Sequence, residues 1–175
     1  MTLALVALGS NLGDRHTHMQ QALGKMIGLP ETRLAAVSAV YETAPVGGPD
    51  DQGPYLNAAV MLETDLGARH LLDALHRIEE GRERKRTVRW GARTLDLDLL
   101  THGEAVSDAP LLTLPHPRMH ERRFVMVPVC DVSPDMVHPR LRQTMAAILA
   151  DIPAEPGDLT AIDANWCKRV PQTTE

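Results

Sequence analysis

Residues 94–100, TLDLDLL, alternate apolar and acidic side chains, and a period of two suits a β-strand with one face in a core. Leu95, Leu97 and Leu99 point one way and Asp96 and Asp98 the other. Residues two apart on a strand share a face, with Cα atoms roughly 6–7 Å apart. A solvated polar face is the ordinary explanation of such a pair. Two carboxylates facing a cleft, however, raise each other's pKa unless a cation lies between them. Magnesium takes one or two carboxylates and completes its shell with water and substrate phosphate oxygens.

The segment just before the strand sharpens that choice. Arg82, Arg84, Lys85, Arg86, Arg89 and Arg93 stand against one acid, Glu83. The chain as a whole is acidic, with a net charge of −5, which opposes general nucleic-acid binding. A basic run leading into an acidic pair has the polarity that a metal–polyphosphate complex needs. Arginine forks bind phosphate oxygens while carboxylates hold the metal. Lys85 and Arg86 are read as solvated charges.

At 175 residues the chain has the size of one domain, and 43% hydrophobic content is enough for a core. Cys130 and Cys167 lack metal-ligand spacing and read as free thiols. The start, MTLALVALGS, reads as a strand rather than a signal peptide. No stretch approaches the roughly 18–20 apolar residues of a membrane span. The expectation is a soluble, cytoplasmic protein that binds neither nucleic acid nor membrane, monomeric with a dimer as the alternative.

Strands are expected over residues 2–9, 33–42 and 55–64, with a helix over 14–27 capped by Asn11 or Asp14. A second helix begins at an Asp65 cap, carries Leu71, Leu72, Leu75 and Ile78 at helical spacing, and ends near Gly81. Residues 104–115 read as loop. Pro117 is expected to open a short helix with Arg118 and Arg122 on one face, and another helix lies near 141–151. The order is β-α-β-β-α-β, which gives an α+β, ferredoxin-like antiparallel sheet with helices packed on one face, plus a C-terminal helical extension. Residues 1–152 form the domain. Residues 153–175 make a peripheral tail, docked by Trp166.

Two further segments offer chemistry. LPHPRMHERRF, residues 114–124, carries His116, Arg118, His120, Arg122 and Arg123, and phosphate contact suits it better than a metal. The Pro/Gly-rich loop over 43–54 leads into Tyr55 and Asn57, which share a strand face. Asn donates and accepts at once, which suits a heterocycle edge. With one Phe, two Tyr and two Trp in the chain, finding Tyr55, Trp90 and Phe124 in or beside these segments favours a planar ligand. No P-loop, CxxC or HxExxH pattern is present.

Taken together, ALGSNLGDR (7–15), YETAPVGGPDDQGPYLNAAV (41–60), RWGARTLDLDLL (89–100) and LPHPRMHERRFVMVPV (114–129) resemble 6-hydroxymethyl-7,8-dihydropterin pyrophosphokinase, a family of folate biosynthesis. The resemblance spans about residues 2–150. It implies a ferredoxin-like fold and transfer of pyrophosphate from MgATP, the co-substrate, to the pterin hydroxymethyl oxygen, releasing AMP. By position, Asp96 and Asp98 hold two Mg²⁺ ions. Tyr55 and Phe124 sandwich the pterin, and Asn57 reads its edge with backbone groups near Thr43 and Val46. Arg93, His116 and Arg122 contact phosphates, Trp90 lies over ATP, and Glu79 and Thr113 line the nucleotide site. Arg82 and Arg84 are carried over as catalytic arginines. Pro117 stands where some members have Tyr, and His76 replaces a Gln. The competing readings are a metal-dependent nucleotidyltransferase and an RNA-binding module. In the first, the Gly-Ser turn belongs close upstream of the acids, whereas Gly9-Ser10 lies far from them. The second wants a basic context around strand aromatics.

Overall fold

The structure is a computed structural model that describes residues 1–44, 53–81 and 94–169. Its frame is an antiparallel sheet. The strands are β1 (Thr2–Ser10), β2 (Thr32–Val37), β3 (Val40–Thr43), β4 (Tyr55–Thr64), β5 (Asp96–His102) and β8 (Leu159–Asp163). They lie in the order β5-β1-β4-β3-β8, and β2 continues along β4 beyond β3. With helices α1 (Arg15–Ile27) and α2 (Ala68–Glu80) crossing between strands, this is the expected ferredoxin-like arrangement.

Period-two strands and 3.6-period helices meet on one face. Ala4, Val6 and Leu8 of β1, Leu56, Ala58 and Val60 of β4, and Leu97 and Leu99 of β5 pack with Met19, Leu23 and Met26 of α1 and Leu71, Leu75 and Ile78 of α2. Helix α1 starts where Asp14 accepts a hydrogen bond from the Thr17 amide at 3.1 Å. The cap expected at Asp65 is not formed. Gly67 occupies the N-cap of α2, and Asp65 pairs with the Met1 ammonium at 2.8 Å.

The expected strand over 33–42 is two strands. The chain breaks at Ser38 and Ala39, where every exposed backbone group finds a partner. The Ser38 hydroxyl accepts from the Ala59 amide at 2.8 Å, and the Ala39 amide donates to Asp131 at 3.2 Å. The segment read as loop contains a small hairpin of β6 (Ser107–Ala109) and β7 (Leu112–Leu114). Pro117 does not open a helix. A 3-10 turn forms over Met119–Glu121, and α3 runs from Arg123 to Val132 with Pro128 inside it.

Helix α3 and α4 (Met145–Asp151) are the C-terminal helical extension, and they close one end of the opposite sheet face. Leu5, Ala59, Met61 and Leu100 form a second core with Val125, Met126, Val129, Met145 and Ile148. Among the described residues, no helix covers the other end of that face. Residues 153–169 of the tail supply β8 and Trp166. The Trp166 side chain is fully buried in the first core, and its indole N–H donates to the Ser38 carbonyl at 2.9 Å.

Candidate active site

Strand register assembles the open end of the sheet. Gly9 pairs with Asp96 on one side and with Asn57 on the other, and Asn57 pairs with Tyr41. Asp96, Gly9, Asn57 and Tyr41 thus form one row across four strands. Asp98, Ala7 and Ala59 form the next row on the same face. Both aspartates are half-buried. Between the acids and the amide the floor is low. A Cβ built on Gly9 would lie 3.4 Å from Asn57 Oδ1 and 4.0 Å from the Asp96 Cβ.

Asn57 is 8% exposed, and its Nδ2 donates to Thr43 Oγ1 at 2.8 Å. That bond fixes the amide and turns its oxygen toward the glycine. Tyr55 and Thr43 are register partners at the end of β3 and β4. Behind Asn57, Tyr41 donates to Asp131 at 2.7 Å, and burial with the aspartate pushes the phenol up to about 12. This contact ties α3 to β3. At the start of α3 the Arg122 guanidinium carbon lies 5.7 Å from the centroid of the Phe124 ring.

His116 and Arg122 bring nitrogen donors to the acids. The His116 amide donates to the Leu100 carbonyl at 2.8 Å, and His116 Nδ1 accepts from the Arg118 amide at 3.2 Å. With Nδ1 an acceptor, Nε2 carries the proton. Burial lowers the His116 pKa, and Arg122 lowers it further against the pull of Asp96, so the ring is neutral near pH 7. Burial also lowers Arg122, assisted by Arg118 and opposed by Asp98 and Asp96. One compact field therefore holds two carboxylates, a guanidinium and a neutral N–H donor.

Beside Asp98 opens a cavity of about 280 Å³. Leu72 and His76 of α2 wall one side, and Pro110, Leu111 and Leu112 of the hairpin wall the other. Thr113, His116 and Pro117 also line it, and Thr113 Oγ1 donates to the Ala109 carbonyl at 3.2 Å. Glu79 lies at the edge of β5. It is 3% exposed, and its Oε1 accepts the Leu97 amide at 2.6 Å. Leu97 stands between the two aspartates, so the buried carboxylate fixes the backbone that carries them.

Asp96, Asp98, His116 and Arg122 are therefore brought together, with Asn57, Thr43 and Tyr55 across the glycine. Val46, Arg82, Arg84, Trp90 and Arg93 lie outside the described residues. Sequence reading missed the parts played by Gly9 and Ser10. The Ser10 hydroxyl donates to the Thr94 carbonyl at 2.6 Å, at the entry to β5. A Gly-Ser turn ending a strand was visible, but its partner 84 residues on was not. The wall of Leu72 and Leu112 also had no distinct signal.

Magnesium suits this donor set. Asp96 and Asp98 offer hard oxygens side by side, and no third His, Cys, Asp or Glu completes a cluster among the described residues. That leaves positions for water and phosphate, as magnesium requires. No helix among the described residues is long and apolar enough to cross a membrane.

Comparison with known proteins gives one family. The model of the 7,8-dihydro-6-hydroxymethylpterin-pyrophosphokinase (HPPK) family matches residues 5–134. A Pseudomonas aeruginosa protein named 2-amino-4-hydroxy-6-hydroxymethyldihydropteridine pyrophosphokinase is 46% identical over 150 residues, 86% of this chain and 91% of that one. A Haemophilus influenzae protein of the same name is 43% identical over 139 residues, 79% of this chain and 86% of that one. Among solved structures, Plasmodium falciparum HPPK-DHPS wild type with SDX-DHP superposes with a TM-score of 0.65 at 12% identity. That match covers 85% of this chain and 44% of the solved one, so this chain spans less than half of it, and the likeness speaks for the fold.

Proposed function

The chain belongs to the 7,8-dihydro-6-hydroxymethylpterin-pyrophosphokinase family, and we propose that the row Asp96–Gly9–Asn57 is where it works. It transfers pyrophosphate from ATP to the hydroxymethyl group of 6-hydroxymethyl-7,8-dihydropterin in folate biosynthesis. The hydroxymethyl oxygen forms a bond to the β-phosphorus, the bond from that phosphorus to the α-phosphate oxygen breaks, and AMP leaves. The hydroxyl proton is given up.

In this reading Asp96 and Asp98 hold two Mg²⁺ ions, which when bound neutralise charge on the polyphosphate. Arg122 and the Nε2–H of His116 approach phosphate oxygens from the other side of the acids. Arg93, with Arg82 and Arg84, adds positive charge, and Trp90 covers the nucleotide. The base of ATP enters the cavity beside Asp98, with Thr113 on its wall. Asn57 and Thr43, with the Val46 backbone, read the pterin edge, and Tyr55 and Phe124 face its ring. Asp98 is the candidate acceptor of the hydroxyl proton. Glu79 acts on the nucleotide site through the β5 backbone. The protein works in the cytoplasm as a monomer on these two small molecules.

One observation carries the assignment. Register alone puts a carboxylate suited to a metal and an amide suited to a heterocycle on either side of one glycine, on one open face. The test is a coupled assay of AMP formation from ATP, with and without the reduced pterin alcohol. AMP that depends on the pterin supports the reading. Release of pyrophosphate in place of AMP would point to nucleotidyl transfer and overturn it.

A further inference from the structure

Arg15 touches neither the acids nor the open face, yet it holds both ends of one loop. The turn between β1 and α1 passes through Gly13 at a φ of +70°, and Asp14 then caps the helix through the Thr17 amide and hydroxyl. Arg15, the first residue of α1, is thereby presented from a fixed start. Its Nη1 donates to the Pro54 carbonyl at 2.7 Å and lies 3.1 Å from Glu42 Oε2. Glu42 precedes Thr43, and Pro54 precedes Tyr55. One guanidinium therefore ties together the two strand ends between which residues 44–53 run.

We infer that Arg15 is a positioning residue for the acceptor subsite, clamping β3 to the start of β4 from the helix side of the sheet. The inference rests on the proposed function and deepens it. Thr43 and Tyr55 are register partners, and Thr43 orients the Asn57 amide. Holding Glu42 against Pro54 therefore fixes Thr43, Tyr55 and Asn57, three of the groups assigned to the pterin. An exposed ion pair alone is worth little. Here the Nη1 that faces Glu42 also donates to a backbone carbonyl, so one planar nitrogen holds both partners at once. The acids on β5 lie on the far side of β1 and β4, so the ATP half of the site is independent of the clamp.

The test compares Arg15→Ala, Arg15→Lys and Glu42→Gln with the unaltered chain. It reads KM for each substrate, the thermal midpoint and amide hydrogen exchange. Arg15→Ala raises KM for the pterin alcohol about tenfold and leaves KM for ATP within about twofold, as loss of positioning on one substrate requires. Exchange quickens at residues 41–43 and 55–57 and stays unchanged at 96–102. Arg15→Lys keeps one contact and falls between, as does Glu42→Gln. An unchanged pterin KM, equal rises in both KM values, or exchange that quickens equally in β5 overturns the inference. If the unaltered chain forms no pterin-dependent AMP, the failure lies in the functional reading, and the acceptor-subsite role falls with it. Quickened exchange at 41–43 and 55–57 alone then shows a clamp without that role.

Discussion

Asp96 stands where charge and geometry converge, so its removal has the largest expected effect of any single change. Asp96→Ala should lower magnesium-dependent AMP formation by roughly a hundredfold or more, while pterin binding survives. Full activity in that variant would remove the metal assignment. Gly9 makes the opposite kind of contribution, by leaving space. Its substitution by Ala places a methyl at ordinary contact distance from Asn57 Oδ1, so the strand tolerates it. The methyl nevertheless stands on the floor between acid and amide. Gly9→Ala should keep the thermal midpoint within a few degrees and raise the pterin KM by about tenfold; a pterin KM equal to that of the unaltered chain would show that the floor is not used. Much of this site was legible at the residue scale. The period of two put both acids on one face, and Tyr55 and Asn57 on another strand declared themselves by the same rule. What stayed hidden was register. No local pattern says that residue 9 faces both residue 57 and residue 96, because pairing is set by the global hydrophobic match of strands.

At the scale of elements, long periodic segments were readable and short ones were not. Helices α1 and α2 and strands β1, β4 and β5 each carry a clear core face. The three-residue strands β6 and β7 are too short to show a period, and α3 was masked by Pro128 and its β-branched residues. The single strand expected over 33–42 lost its continuity to tertiary bonds at Ser38 and Ala39. The turn between α3 and α4 carries a prediction of its own. His138 is 2% exposed, and its Nδ1 accepts the amides of Arg140 at 3.3 Å and Leu141 at 3.2 Å. A proton at Nδ1 would face two N–H groups. Burial, the neighbouring His120 ring and Arg140 all lower its pKa. The unfolded chain takes up a proton as pH falls through its ordinary value of about 6.5, and the folded chain resists it. Stability present above pH 6.5 should therefore be lost below it, by at most about 1.4 kcal/mol per pH unit for this residue. His116, also lowered, adds the same sign. Urea midpoints at pH 7.5 and 5.5 measure the slope, and His138→Leu should flatten it; an unchanged slope would exclude the residue as its source.

For the molecule as a whole, the C-terminal segment decides integrity. The tail expected at the periphery adds a strand to β3 and places Trp166 in the main core, against α1 and the break between β2 and β3. Trp166→Ala should cost about 3–5 kcal/mol, the range for emptying a buried aromatic site. Denaturant unfolding checks this, and a loss under about 1 kcal/mol would return the tail to the periphery. Trp166 was legible as the docking residue of this segment, whereas β8 was not, because its polar composition carries no strand signal. The sheet itself also behaves as a ruler. Asp96 and Asn57 sit on strands two apart, and strand spacing fixes their separation near 9.5 Å. Backbone hydrogen bonds hold that interval, so side-chain substitutions cannot shorten or stretch it by degrees. The acceptor must match it with its own length. On the proposed placement a two-ring acceptor spans more of that interval than a one-ring one, so the pitch of the sheet would itself contribute to substrate selectivity.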